Sequence, residues 1–111
     1  MIEPLLKAIE PLIVEELARA NEQFPQFHSP HEGQAIIEEE VEEAAECMDA
    51  VYCLMEQLKQ DVFHDRFDKA DDNIELLRRH AKYAAAEAIQ VAAMCDKYRF
   101  MEVDNGNRVS D

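Results

Sequence analysis

Apolar positions in this chain recur at helical spacing almost from end to end. Leu5, Leu6, Ile9, Leu12, Ile13, Leu17 and Ala20 share one face of a helix expected over residues 3–23, with Pro11 placed to kink or split it. PQFHSP, residues 25–30, interrupts the periodicity with two prolines and reads as a connector. A start signal follows. Ser29 suits an N-cap, Pro30 suits the first helical position, and Glu32 completes a Ser-x-x-Glu capping box.

From there Ile37, Val41, Ala44, Met48, Val51, Met55, Leu58 and Val62 repeat at 4-3-4-3-4-3-4, a coiled-coil-like seam. HDRFDKADDN, residues 64–73, is polar and rich in Asp and marks the turn region. A third helix carries the same arithmetic through Ile74, Leu77, Ala81, Ala84, Ala88, Val91, Cys95 and Tyr98. The end of the chain, VDNGNRVSD, has no periodicity, so one helical domain over 1–100 is expected, with a flexible tail over 101–111.

These elements describe an all-α fold: an antiparallel helical hairpin plus an N-terminal helix. At ~1.5 Å per residue the second helix is on the order of 45 Å long. A lone hairpin of that length leaves much of its seam wet, even with the first helix laid on it. Two hairpins are therefore expected to associate into a four-helix bundle, as a homodimer or homotetramer.

Charge narrows the function classes. Lys and Arg number 11 and Asp and Glu 25, so the net charge is 11 − 25 = −14, with a pI near 4.5. Such a surface repels phosphate backbones, which argues against nucleic-acid binding. It leaves room for a phosphorylated small molecule when a divalent cation stands between acid and phosphate. No apolar run approaches a membrane span, and MIEPLLKAIEPLIVEE lacks the basic start of a signal peptide. Cys47, Cys53 and Cys95 are odd in number and form no CxxC pair, which suits free, buried thiols in a reducing, cytoplasmic setting.

SPHEGQAIIEEEVEEA, residues 29–44, holds most of the candidate chemistry. On a helical wheel Glu38, Glu39, Glu42, Glu46, Asp49 and Glu56 fall away from the seam and read as a solvated face. Glu40 and Glu43 lie instead on a flanking stripe, Ile36-Glu40-Glu43-Cys47-Ala50-Leu54, among apolar or small neighbours. A carboxylate half-buried there is unfavourable unless it is paired or coordinates a cation. The third helix has a matching flank, His80-Tyr83-Glu87-Gln90-Met94. With the helices folded antiparallel about a centre near residue 65, Glu43 and Glu87 lie 22 residues either side of it, and Glu40 and Gln90 lie 25. Four oxygen ligands without thiolate or imidazole suit Mg²⁺ or Mn²⁺ and argue against zinc. The absence of any Glu-x-x-His argues against a ferritin-like di-iron centre. This geometry by itself leaves a metal site and a merely acidic flank both open.

Glu39-Glu40-x-x-Glu43, followed on a later helix by Glu87-x-x-Gln90, resembles the paired motifs of the MazG-like all-α nucleotide pyrophosphohydrolases. The longer stretches FHSPHEGQAIIEEEVEEA and AEAIQVAAM are similar to a short bacterial and phage branch of that family, over roughly residues 20–98. The resemblance implies Mg²⁺-dependent hydrolysis of a nucleoside triphosphate to the monophosphate and pyrophosphate. It implies Mg²⁺ ligation by Glu40, Glu43 and Glu87, with Gln90 where the family has Asp. Glu39 is then the candidate to orient or deprotonate the attacking water. Neutral Gln90, and a longer segment between the motifs than in compact members, fit an alternative reading: a non-catalytic dimeric regulatory or scaffold module that has lost the chemistry.

Other residues have plainer readings beside functional ones. His28, His31 and Glu32 form a metal-like cluster in sequence but fit a capped first turn and its connector. Backbone N–H groups near Gly33, at a helix start, are candidates for a phosphate contact. Among the basic residues of the third helix, Arg78, Arg79, Lys82, Lys97 and Arg99, surface solubility explains most, and Lys97 is the candidate for substrate phosphates. Tyr83 and His80 are candidates for substrate contact on the flank that carries Glu87, His80 reading equally as a packed histidine. Phe24, Phe27 and Tyr83 are the aromatics available to a nucleobase.

Overall fold

A computed structural model of the protein, which describes residues 2–101, contains three helices and, among those residues, no strand. They are α1 (Glu3–Gln23), α2 (Pro30–Phe63) and α3 (Phe67–Arg99). None is long and apolar enough to cross a membrane. The expected tail from residue 102 onward lies outside the described residues, whereas Met101 is 2% exposed and belongs to the core.

The chain forms two compact units. One holds the residues up to 41 together with those from 88 onward, and the other is Glu42–Glu87. In the first, Ile13, Phe27, Ala93, Met94 and Met101 make a buried cluster, with Ile9, Leu17, Ile36 and Ile89 packed against it. Helix α1 runs through Pro11 unbroken. It spends only part of its apolar face on this cluster: Leu5, Leu6 and Leu12 remain exposed.

The start of α2 is built as its sequence predicts, with one shift. Ser29 Oγ accepts the Glu32 N–H at 3.1 Å, the first half of a capping box. Glu32 reaches back one residue further than the box requires and accepts the backbone N–H of His28 at 2.8 Å. Its other oxygen stands 3.2 Å from His28 Nδ1. The backbone and side-chain bonds from His28 hold the Glu32 carboxyl below its ordinary range. These residues satisfy one another as a cap.

Gly33 is not a phosphate contact. It is buried, its N–H is bound to the Ser29 carbonyl at 3.0 Å, and a Cβ there would stand 2.8 Å from the Tyr98 ring and 2.9 Å from the Phe27 ring. Glycine is needed at this position for close ring packing, not for an open anion site.

In the second unit the α2–α3 turn is shorter than the Asp-rich segment suggested. Asp65 is the only non-glycine residue described with a positive φ, at 58°. Around it Arg66 N–H donates to the Asp61 carbonyl at 2.7 Å and Asp65 N–H to that of Val62 at 3.1 Å, the paired bonds of a Schellman end with Asp in the usual glycine position. Helix α3 then begins at Phe67, seven residues before Ile74, because acidic residues favour a helix N-terminus and Ala70 is buried on the inner face. Asp61 ties the turn together. Its fully buried carboxylate accepts hydrogen bonds from Gln57 at 3.1 Å, Arg66 Nε at 3.0 Å and Asn73 Nδ2 at 2.5 Å.

The predicted seams are only half used within the chain. On α2, Ala44, Val51 and Leu58 are half-buried while Val41, Met48, Met55 and Val62, each seven residues apart, are exposed. On α3, Leu77 and Ala84 turn inward while Ile74 and Ala81 do not. The stripes that face inward are the flanking ones, through Cys47, Ala50 and Leu54 on α2 and His80 and Glu87 on α3. Cys53 and Cys95 are exposed and only Cys47 is half-buried, so the expectation of buried thiols fails for two of the three.

Burial raises the affinity of the Asp61 carboxyl for a proton, but the bonds from Arg66, Gln57 and Asn73 outweigh it and hold it below the ordinary value of 3.8. A depressed folded pKa stabilises the protein fully above 3.8, and that stability is lost as pH falls through the folded value. Asp61→Asn is therefore expected to lower Tm at pH 7 and to flatten the dependence of Tm on pH below 4. Parallel acid-melting curves for variant and wild type would contradict this role.

Candidate functional site

The antiparallel register of the second unit is fixed near the turn by the Asp61–Asn73 bond and carries through to its other end. There Glu43 and Glu87 line one cavity of about 360 Å³ with Glu46, Cys47, Ala50, His80 and Tyr83. Glu40 stands one turn before Glu43 on the unbroken helix α2. Glu40, Glu43 and Glu87 each offer a carboxylate oxygen, and these oxygens all lie within 4.8 Å of one another. Among the described residues this is the group of three or more acidic, His or Cys side chains with the spacing to hold a metal ion. The donor set fits a hard divalent cation such as Mg²⁺ or Mn²⁺, since every donor is a carboxylate oxygen.

The details depart from expectation in two ways. Glu40 and Glu87 are half-buried as their flanks require, but Glu43 is exposed. Gln90, expected as a fourth ligand, donates from its side-chain nitrogen to Glu16 Oε2 of α1 at 3.4 Å. Glu16 in turn pairs with Arg19. The amide thus brings a carboxylate of α1 beside the position where the resemblance puts a ligand, a partner the sequence reading did not consider. Its only sequence signal is that Glu16 lies on α1 next to the inward positions Ile13 and Leu17.

The acids assigned to a solvated face, Glu38, Glu39, Glu42, Glu46, Asp49 and Glu56, are all exposed. Glu39 adjoins Glu40 in sequence and is open to water, as a residue that handles a water molecule must be. His80 is half-buried and stacks edge-on against the half-exposed Tyr83 ring, centroids 5.6 Å apart. Both rings wall the cavity that holds Glu43 and Glu87.

Lys97 has a different environment. It is 6% exposed, its Nζ donates to the Phe24 carbonyl at 2.5 Å, and the same ammonium lies 4.8 Å above the Phe27 ring centroid. Desolvation pulls its pKa below the ordinary 10.5, partly opposed by the negative charge of Glu32. These contacts pin the connector to α3. They line a separate cavity of about 200 Å³ with Phe24, Phe27, Ile36 and Met94. Lys97 is placed as a strut under the connector, and any phosphate contact competes with the Phe24 carbonyl.

Comparison with models of known protein families, with curated proteins and with solved structures yields no match to this chain.

A ligand that binds only the folded state raises its melting temperature, by about 2.7 kcal/mol of stability at a hundred times its Kd. Mg²⁺ or Mn²⁺ is expected to raise Tm by several degrees in wild type and to leave Glu43→Ala/Glu87→Ala unmoved. Without metal, Glu43→Gln/Glu87→Gln is expected to melt slightly above wild type, because like charge is removed. Equal metal-induced shifts in wild type and double alanine variant would place the cation elsewhere.

Proposed function

We propose that this chain is a MazG-like, Mg²⁺-dependent nucleoside triphosphate pyrophosphohydrolase. The observation that carries the reading is the convergence of Glu40, Glu43 and Glu87, the residues that match the family's acidic motifs. The sequence-derived register that paired Glu43 with Glu87 made no use of the family, so motif and geometry support the reading from different sides.

In this reading Glu40, Glu43 and Glu87 hold Mg²⁺, and Mn²⁺ is an acceptable substitute. A bound divalent cation supplies charge neutralisation for the phosphate oxygens. Glu39 orients a water molecule and takes its proton as the water oxygen bonds to the α-phosphorus. The bond from that phosphorus to the bridging oxygen breaks, pyrophosphate leaves, and the nucleoside monophosphate remains. Tyr83 and His80 wall the space next to Glu43 and Glu87 and restrict what enters it.

The exposed stripe of Val41, Met48, Met55 and Val62 supports association with a second copy into a four-helix bundle. Light scattering is then expected to give at least twice the 12.8 kDa chain mass, and a 12.8 kDa particle would remove this part of the reading.

The non-catalytic reading draws on one observation: Gln90, neutral where the family has Asp, is engaged with Glu16. One experiment separates the two. Pyrophosphate release is followed over a set of canonical and modified nucleoside triphosphates with Mg²⁺ present. The catalytic reading expects turnover that falls at least about 100-fold in Glu40→Gln/Glu87→Gln while helical content is unchanged. A wild type with no turnover on any of them, matched by the double variant, leaves the binding module standing.

A further inference from the structure

A second concave surface adjoins the acidic one on α3. Arg78, Arg79 and Lys82 supply three of the eleven basic residues of a chain of net charge −14 within five positions. With Glu75 and Tyr83 they line a cavity of about 340 Å³. Tyr83 also walls the cavity of Glu43 and Glu87, so one ring separates a basic space from an acidic one. Solubility alone is a poor account of such a cluster. Ion pairs engage other cations of the chain, Lys59 with Glu56 and Arg19 with Glu16. Among the described residues Arg78, Arg79 and Lys82 make none, although Glu75 lies within one turn of both arginines.

The helical phase selects Arg79, and the shared cavity adds Lys82. Arg79, Tyr83 and Glu87 are spaced i, i+4 and i+8 on one stripe of α3, and Lys82 is one turn from Arg79 on the Tyr83 side. Arg79 and Glu87 are about 12 Å apart along the helix axis, a gap that a long guanidinium side chain shortens. A monophosphate at the carboxylates does not span that interval; an extended polyphosphate does. Arg presents a planar fork suited to two phosphate oxygens, and Lys adds a point charge.

We propose that Arg79 and Lys82 bind the distal phosphates of a polyphosphate substrate, with the Tyr83 hydroxyl donating between the two cavities. Resting on the pyrophosphohydrolase reading, this assigns the substrate class by its chain of phosphates: triphosphates are held at both ends, monophosphates at one. It also replaces Lys97, whose ammonium is already engaged by Phe24 and Phe27, as the source of phosphate recognition.

The test measures binding of inorganic tripolyphosphate to the full chain by calorimetry, with Mg²⁺ and separately with chelator, at low and moderate salt. Wild type is expected to bind in both conditions and more tightly with Mg²⁺. Arg79→Ala/Lys82→Ala is expected to weaken binding at least tenfold in chelator and to reduce its salt dependence. Lys69→Ala, which removes an exposed cation elsewhere on α3, is expected to stay within twofold. Glu40→Gln/Glu87→Gln is expected to lose the Mg²⁺-dependent gain and keep the rest. All variants change exposed or half-buried side chains, and a circular dichroism spectrum matching that of wild type is the check that each one folds. Should wild type show no pyrophosphate release and yet lose tripolyphosphate binding only in the Arg79/Lys82 variant, the catalytic reading fails and the phosphate site stands. Binding by Arg79→Ala/Lys82→Ala within twofold of wild type, or no binding by wild type, overturns the proposal.

Discussion

Carboxylates of like charge that gather where two helices meet repel one another. Glu40, Glu43 and Glu87 bring oxygens within 4.8 Å of one another, and two of the three are half-buried. Repulsion and partial desolvation both disfavour that arrangement, and a cation among the oxygens would offset both. The same helices show another way to keep a buried acid. Asp61, further along the inner stripe of α2, is surrounded by Gln57, Arg66 and Asn73, which stabilise its charge by hydrogen bonding. Oxygens of Glu40, Glu43 and Glu87 converge on one another, and an all-carboxylate donor set of this kind suits a hard cation.

The rest of the second unit keeps that set in register. A tight Schellman end at Asp65 reverses the chain, Asp61 locks the turn to α3 through Asn73, and the alignment that follows brings Glu43 to Glu87. In the first unit, burial of Lys97 and Gly33 against Phe27 fixes the connector that precedes the capped start of α2. Function, on this account, depends on helix register more than on any loop.

Much of this was legible as period and spacing. The bounds of α1, the start of α2 at Pro30 and the pairing of Glu43 with Glu87 follow from apolar spacing, caps and a turn placed near residue 65. What escaped has physical causes. A wide apolar band does not say which edge faces the neighbouring helix, so Val41 and Met48 were read as inward and are exposed. The early start of α3 was hidden because Asp is a turn former and equally a favourable residue in a first helical turn. Asp61 lies two more turns along the stripe of Ala50 and Leu54, beyond the end of the stripe that the spacing marked out. Lys97 reads as a surface cation in any pattern, since burial of a lysine depends on carbonyls and rings far away in sequence, here Phe24 and Phe27. The Gln90–Glu16 contact joins residues 74 positions apart and leaves no local trace.

Crystals of the protein grown with Mn²⁺ and measured at a wavelength where manganese scatters anomalously give the most direct answer. A strong anomalous peak within coordination distance of Glu40, Glu43 and Glu87 oxygens is the result expected here. Contradiction would come from a map in which those three side chains point apart into solvent and no manganese lies among them.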